Sequence, residues 1–212
     1  MIGNFRLPIN TSSSSGSTYT RPSDWLTIDT LVSSGDQKFV GLHAIFEDSN
    51  FLSLSATGKY TVDWGDGVIE NFSSGVQAYH IYDYNYAGFV GTESTRGYRQ
   101  AIVTITGNGV NLTNVNLQRK HNKSGLQLYT GGWLDIKLSG ANLTSLSIGG
   151  GTIYHTLLEQ FTFIGTNSIT NFSVLFQYCY SLMSVPLFYT NSGTSFSGMF
   201  QYCFSITTVP LF

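Results

Sequence analysis

The sequence predicts a mainly β protein, a β-sandwich followed by a repeat solenoid with short helices. Three observations lead there. Residues 24–107 alternate apolar and polar side chains in short runs separated by turn-forming pairs. Residues 111–117 and 142–148, "NLTNVNL" and "NLTSLSI", share one frame. Residues 172–188 and 196–212 agree at eleven of seventeen positions at an offset of 24, and a fixed period in the twenties marks a stack of coils.

The chain has 212 residues, 42% hydrophobic and 15% aromatic, enough for a sizeable core. Only 10% are charged and the formal net charge is −2, so no nucleic-acid or anionic-membrane partner is expected. The opening "MIGNFRLPIN" has no apolar core behind a basic start, so it does not read as a signal peptide. No apolar run reaches the roughly 18 residues needed to span a bilayer. A charge-poor composition rich in Ser, Thr, Asn and Gly suits a β-rich extracellular or virion protein.

Residues 1–22 read as an extended anchoring arm. "NTSSSSGSTYTRP" has too little apolar content to fold unaided, and Phe5, Leu7 and Ile9 alternate as a strand would. Residues 23–109 read as a sandwich of about seven strands. "DWLTIDTL" and "KFVGLHAIFE" are its first strands, "GKYTVDWGDGVIENF" is a hairpin, and "YRQAIVTITG" is the last strand. Asp66-Gly67 supplies the hairpin turn, because glycine accepts positive φ and aspartate bonds its own turn backbone. Trp64 is expected to fill the interior, with His80 and Tyr82 closing polar groups beside it.

Asp63-Trp64-Gly65-Asp66-Gly67, then His80-x-Tyr82, then the alternating strand Ala101 to Thr106 resemble a polycystic-kidney-disease (PKD) type Ig-like domain. The resemblance implies an Ig-like sandwich. The segment "NYAGFVGTESTRGYRQ" departs from it, being longer than the family's usual turn before the last strand. Asp63, Asp66 and Asp83 form a weak candidate calcium site, since hard cations take carboxylate oxygens. Their ordinary role is in turns, and no cofactor is expected.

Residues 110–212 read as the repeat solenoid. "NLTNVNL", "GGWLDIKLSG" (alternating Leu134, Ile136 and Leu138) and "NLTSLSI" are taken as single strands, and "QRKHNK" at 118–123 as a solvated basic loop with anionic-glycan contact as the alternative. In the doubled ending, Phe172, Leu175, Phe176 and Cys179 fall at i, i+3, i+4 and i+7, as do Phe196, Met199, Phe200 and Cys203. That spacing predicts a short helix per coil. Pro186 and Pro210 follow, where proline turns the chain after a strand.

The units Leu175-Phe176-x-x-Cys179-x-x-Leu182-x-x-x-Pro186 and Met199-Phe200-x-x-Cys203-x-x-Ile206-x-x-x-Pro210 resemble BspA-like leucine-rich repeats. That family implies surface display and binding more than catalysis. Cys179 and Cys203 take equivalent places and read as buried thiols, with a disulfide as the alternative. Because the last coil has no polar cap, the repeat is expected to continue beyond the given chain.

Catalytic signatures are lacking. His43, His80, His121 and His155 make no metal-ligand spacing, and "IGGGT" lacks the lysine of a phosphate loop. None of the spacings among the carboxylates singles out a pair for glycoside hydrolysis. The expectation is therefore a non-enzymatic phage virion protein, a tail or head fibre or decoration protein. Its arm and sandwich would hold other virion proteins, its repeats would bind host-surface glycan or protein, and it would assemble as a homo-oligomer without membrane insertion. A bacterial cell-surface adhesin is the alternative, and an accessory region of a polysaccharide-degrading enzyme is a third reading.

Overall fold

The computed structural model describes residues 19–123, 126–129, 131–151, 154–207 and 209. Strands β1 (Lys38–Ile45), β2 (Phe51–Thr57), β3 (Tyr60–Asp63), β4 (Ile69–Phe72), β5 (Gln77–Ile81) and β6 (Arg99–Gly107) come first. Then follow β7 (Asn114–Asn116), β8 (Lys120–Lys123), β9 (Leu126–Tyr129), β10 (Trp133–Ser139), β11 (Ser145–Ser147) and β12 (Gln160–Phe163). A six-stranded sheet runs β12-β10-β1-β6-β3-β4 and a four-stranded sheet runs β11-β7-β2-β5. The alternation of β1, β3 and β6 sends Phe39, Val62, Val103 and Ile105 inward, where they meet Leu52, Leu54, Ala78 and Val115 of the other sheet in one apolar cluster.

Each sheet mixes antiparallel and parallel pairing. β7 and β11 pair in parallel with Asn114 opposite Ser145, an offset of 31 that matches the spacing of "NLTNVNL" and "NLTSLSI". β10 and β12 pair in parallel with Asp135 opposite Gln160. Parallel bridges then join Gln160 to Ser184 and Asn171 to Ser195, an offset of 24 that matches the doubled ending. The coils are thus stacked on the growing edges of the sandwich, and the apolar cluster continues without a break to Cys203.

The short helices are not formed. Among the described residues there is no α-helix, only one 3-10 turn at Ala87–Phe89. The expected helical stripe is buried as drawn, with Phe172, Leu175, Phe176 and Cys179 all inside, but its hydrogen bonds differ. Leu175, Gln177 and Cys179 donate their N–H to the carbonyls of Phe172, Val174 and Phe176, three residues back. The N–H groups between them, of Phe172, Val174, Phe176 and Tyr178, donate instead to the carbonyls of Ser195, Ser197, Met199 and Gln201 of the next coil, each at 2.8–3.1 Å. Positive φ at Val174 (54°) and Tyr178 (65°), and at Gly198 (63°) and Tyr202 (62°), closes the successive turns. An eight-residue stretch is too short to nucleate a helix, and bonding to the neighbouring coil satisfies half of its donors. Apolar spacing therefore gave the correct buried face for the wrong backbone.

Other local expectations change as well. "DWLTIDTL" forms no strand. It crosses the outer face of the six-stranded sheet, where Trp25, Ile28 and Val32 pack on Val40, Leu42, Ala44 and Leu134. A register shift between Leu42 and His43 marks a bulge opposite β10, so Trp133 and Ile136 both face the main cluster while Leu134 faces outward, breaking the simple alternation. "QRKHNK" is not a loop, because 120–123 is β8, paired with β9. His121 is buried against Phe51 and Tyr79, and Arg119 bonds Ser55 at 2.9 Å.

The end of the expected arm is anchored. The Arg21 guanidinium bonds buried Asp135 at 2.8 Å and donates to the carbonyls of Trp25 and Leu26. Phe5, Leu7 and Ile9 lie outside the described residues. The long segment before β6 has its own work here. Ser94 and Thr95 donate to Asp24, Tyr98 accepts from the Trp25 indole at 2.8 Å, and Arg96 pairs with Glu159.

Candidate functional site

The Asp63–Gly67 motif is a structural lock. Asp63 and Asp66 each accept a backbone N–H two residues on, from Gly65 and Val68. Gly65 has φ 82°, and a Cβ there would lie 2.5 Å from the Ile102 carbonyl oxygen, so only glycine fits. Trp64 is fully buried and its indole donates to Glu70 at 2.8 Å. His80 lies flat on Trp64, centroids 4.8 Å apart, while its Nε2 bonds Asp66 at 2.7 Å. The Tyr82 hydroxyl donates to the Trp64 carbonyl. Gly67 completes the turn, so the whole motif is brought together around one indole.

Asp83 stands apart, accepting the Asn85 N–H. The three aspartates of the calcium reading are thus each bonded to turn backbone, and among the described residues no cluster of three or more His, Cys, Asp or Glu is gathered.

The repeat residues make regular ladders. Phe172 stacks on Phe196 at 5.3 Å and Phe176 on Phe200 at 5.4 Å, both within 18° of parallel. Cys179 and Cys203 are free and buried, and the Cys203 thiol donates to the Phe176 carbonyl at 3.0 Å. Burial raises both thiols, Cys203 to about 11. Pro186 follows buried Val185 in the turn, and Pro210 lies outside the described residues.

A third set of rings points outward. Tyr178 stacks on Tyr202 with centroids 4.9 Å apart and 3° between planes, and Tyr180 stacks on Phe204 at 5.4 Å. Tyr154 abuts Tyr178 edge-on at 4.7 Å and lies over Tyr180 at 6.1 Å. Tyr154 and Tyr202 are more than 40% exposed and Phe204 is 74% exposed. Beside them Gln177 donates to Gln201 in the same coil-to-coil register. The left-handed backbone at Tyr178 and Tyr202 is strained for a residue with a side chain, the kind of strain that gathers at functional surfaces. No charged residue follows Glu159 in the sequence, so this face offers rings, amides and hydroxyls.

The spacing of Tyr178, Tyr180, Tyr202 and Phe204 was readable from the repeat, but the ring of Tyr154 was not. Sequence reasoning also missed that one frame runs through four coils. Thr144 donates through its N–H and hydroxyl to the Thr113 carbonyl, and Thr194 does the same to Thr170. "SITNFSV" and "SGTSFSG" are therefore further copies of "NLTSLSI", hidden because the offset shrinks from 31 to 26 and then 24.

Among the described residues no helix is long and apolar enough to cross a membrane. No family model, no curated protein and no solved structure matches the chain.

Proposed function

We propose that the chain is a non-enzymatic display and adhesion protein of a phage virion surface, whose repeat coils bind an uncharged host-surface glycan. The observation that carries this reading is the exposed face of Tyr154, Tyr178, Tyr180, Tyr202 and Phe204 on a stretch without charge. Aromatic faces pack against the C–H faces of sugar rings, and neighbouring amides such as Gln177 and Gln201 meet hydroxyls. Two coils repeat the same rings about 5 Å apart, so the surface suits an extended ligand better than a single small molecule. The charge-poor composition supports the virion setting, with the N-terminal part holding other virion proteins and further copies of the chain.

The test is retention of the labelled chain by host bacteria and by envelope glycan extracted from them. The reading expects binding that survives protease treatment of the cells and is lost in Phe204→Ala with Tyr202→Ala. Loss of binding on protease treatment would move the partner to a protein, and release of reducing sugar from the glycan would overturn the non-enzymatic role.

A further inference from the structure

His43 is a buried polar group with no assigned work. It is 1% exposed, and among the described residues neither Nδ1 nor Nε2 has a hydrogen-bond partner. Such an orphan imidazole costs stability unless something uses it. Its ring is held by an edge contact to Trp133 at 5.2 Å and by stacking near Tyr82 at 6.0 Å, so its direction is set by the core. It sits at the bulge between β1 and β10, and it lines a cleft of about 250 Å3 together with Phe46, Phe51, Gly132, Tyr154 and Thr156.

Three features of this cleft point to one ligand chemistry. Among the described residues no charged side chain lines it, and burial pushes the imidazole down to about 3, with His155 and His80 nearby adding to the effect. At neutral pH His43 therefore offers one N–H donor and one bare acceptor nitrogen, the pair that a sugar hydroxyl matches. Gly132 forms the wall beside the imidazole, where a Cβ would stand 2.7 Å from His43 Nε2 and 2.8 Å from the Ala44 carbonyl oxygen, so glycine is what leaves room for the ring. The volume lies below the roughly 300–1,000 Å3 of sites for drug-sized ligands, so it holds one small ring. Tyr154 links it to the exposed face, since the same side chain lines the cleft and touches Tyr178 and Tyr180.

We infer that the His43 cleft is the subsite for one uncharged sugar ring of a glycan whose remaining rings lie along Tyr154, Tyr178 and Tyr202. This rests on the glycan-binding reading above and adds an end point and a direction to it. His43 hydrogen-bonds a hydroxyl at the cleft floor, Tyr154 stacks at the mouth, and the chain continues over the coils.

The full chain is titrated with maltotriose, lactose and tri-N-acetylchitotriose by calorimetry, while the His43 ring nitrogens are followed by NMR. Wild type is expected to bind at least one of them with a shift of the His43 nitrogen signals. His43→Phe keeps the contacts to Trp133 and Tyr82 but removes both polar atoms. It should retain or raise the melting temperature yet weaken binding at least fivefold. Should that variant fail to fold, Thr156→Val at the same cleft is judged by the same fivefold criterion. Binding that leaves the His43 signals unmoved, or a loss below fivefold, overturns the cleft assignment and leaves the aromatic face standing. Absence of binding to all three sugars overturns both.

Discussion

Tyr178 lies flat on Tyr202, one repeat further along the chain, with ring centroids 4.9 Å apart and planes 3° from parallel. Both residues adopt left-handed backbone, so the chain accepts local strain twice to present the same ring twice. The ladder depends on coils stacking at one fixed offset, which in turn depends on backbone fitting backbone. Four consequences of that packing can be measured before any ligand is found.

The first concerns "IGGGT". Gly149 and Gly150 donate their N–H to the Leu175 and Gln177 carbonyls of the next coil. A Cβ on Gly149 would lie 2.3 Å from the Gln177 carbonyl oxygen, whereas one on Gly151 meets nothing within 4 Å. Gly149→Ala should destabilise by more than ~3 kcal/mol, because coil backbone must move apart. Gly151→Ala should cost only the ~1 kcal/mol of a left-handed alanine. Denaturant unfolding of the two variants checks the difference, and equal costs would contradict close coil contact at Gly149.

The second concerns the anchored end of the arm. Among the described residues Arg21 is the hydrogen-bond partner of Asp135, whose carboxyl is fully buried and pushed above its ordinary range by desolvation, partly offset by Arg21. Arg21→Met should cost about 3–5 kcal/mol, because it strands a buried acid. Adding Asp135→Leu should recover more than half of that in chemical denaturation. A truncation through residue 22 removes Arg21 and is expected to be destabilising for the same reason. Failure of the double variant to recover stability would show that Arg21 acts through its other contacts.

The third concerns acid. Burial lowers His43 to about 3 and His155 to about 4, the latter eased slightly by the Ile148 backbone. Unfolded histidines titrate near 6.5, so below that pH the unfolded chain takes up protons that the folded chain refuses. Stability is full above pH ~6.5 and should fall by about 1.4 kcal/mol per pH unit for each histidine as pH drops towards 4. The raised carboxyl of Asp135 works in the opposite sense. Melting curves from pH 7 to 4.5 should show this decline, and His43→Phe should reduce its slope. A flat profile would contradict neutral burial.

The fourth concerns the thiols. Cys179 and Cys203 are buried with raised pKa values, so a thiol reagent at pH 8 should label neither in the native state within the time that labels both in denaturant. Rapid labelling of Cys203 in the native protein would mean that its coil opens.

How much of this was written in the sequence depends on the range of the interaction. The turn of Asp66 and Gly67, the strands β1, β3, β4 and β6, and the buried face of 172–179 follow from local pattern, and each is where pattern puts it, whereas in 196–203 only Met199 and Cys203 are buried and Phe196 is exposed. The helix at 172–179 failed because spacing reports which side is buried and is silent on whether an N–H bonds its own turn or the next coil. "DWLTIDTL" failed because its apolar residues pack on the outside of a sheet, a tertiary contact set by Gln100, Tyr98 and Ser94 some 70 residues away. The outward rings of Tyr178 and Tyr202 were legible once the repeat was seen. Tyr154 and His43 join that region through the bulge at His43 and the turn before β12, which no periodicity announces.

The most direct test of the account is the binding of the full chain to host envelope glycan with Phe204, the most exposed ring of the face at 74%, changed to alanine together with Tyr202. The account predicts a melting temperature within a few degrees of wild type and at least a tenfold loss of affinity. Wild-type affinity in a folded Tyr202→Ala/Phe204→Ala protein would contradict it.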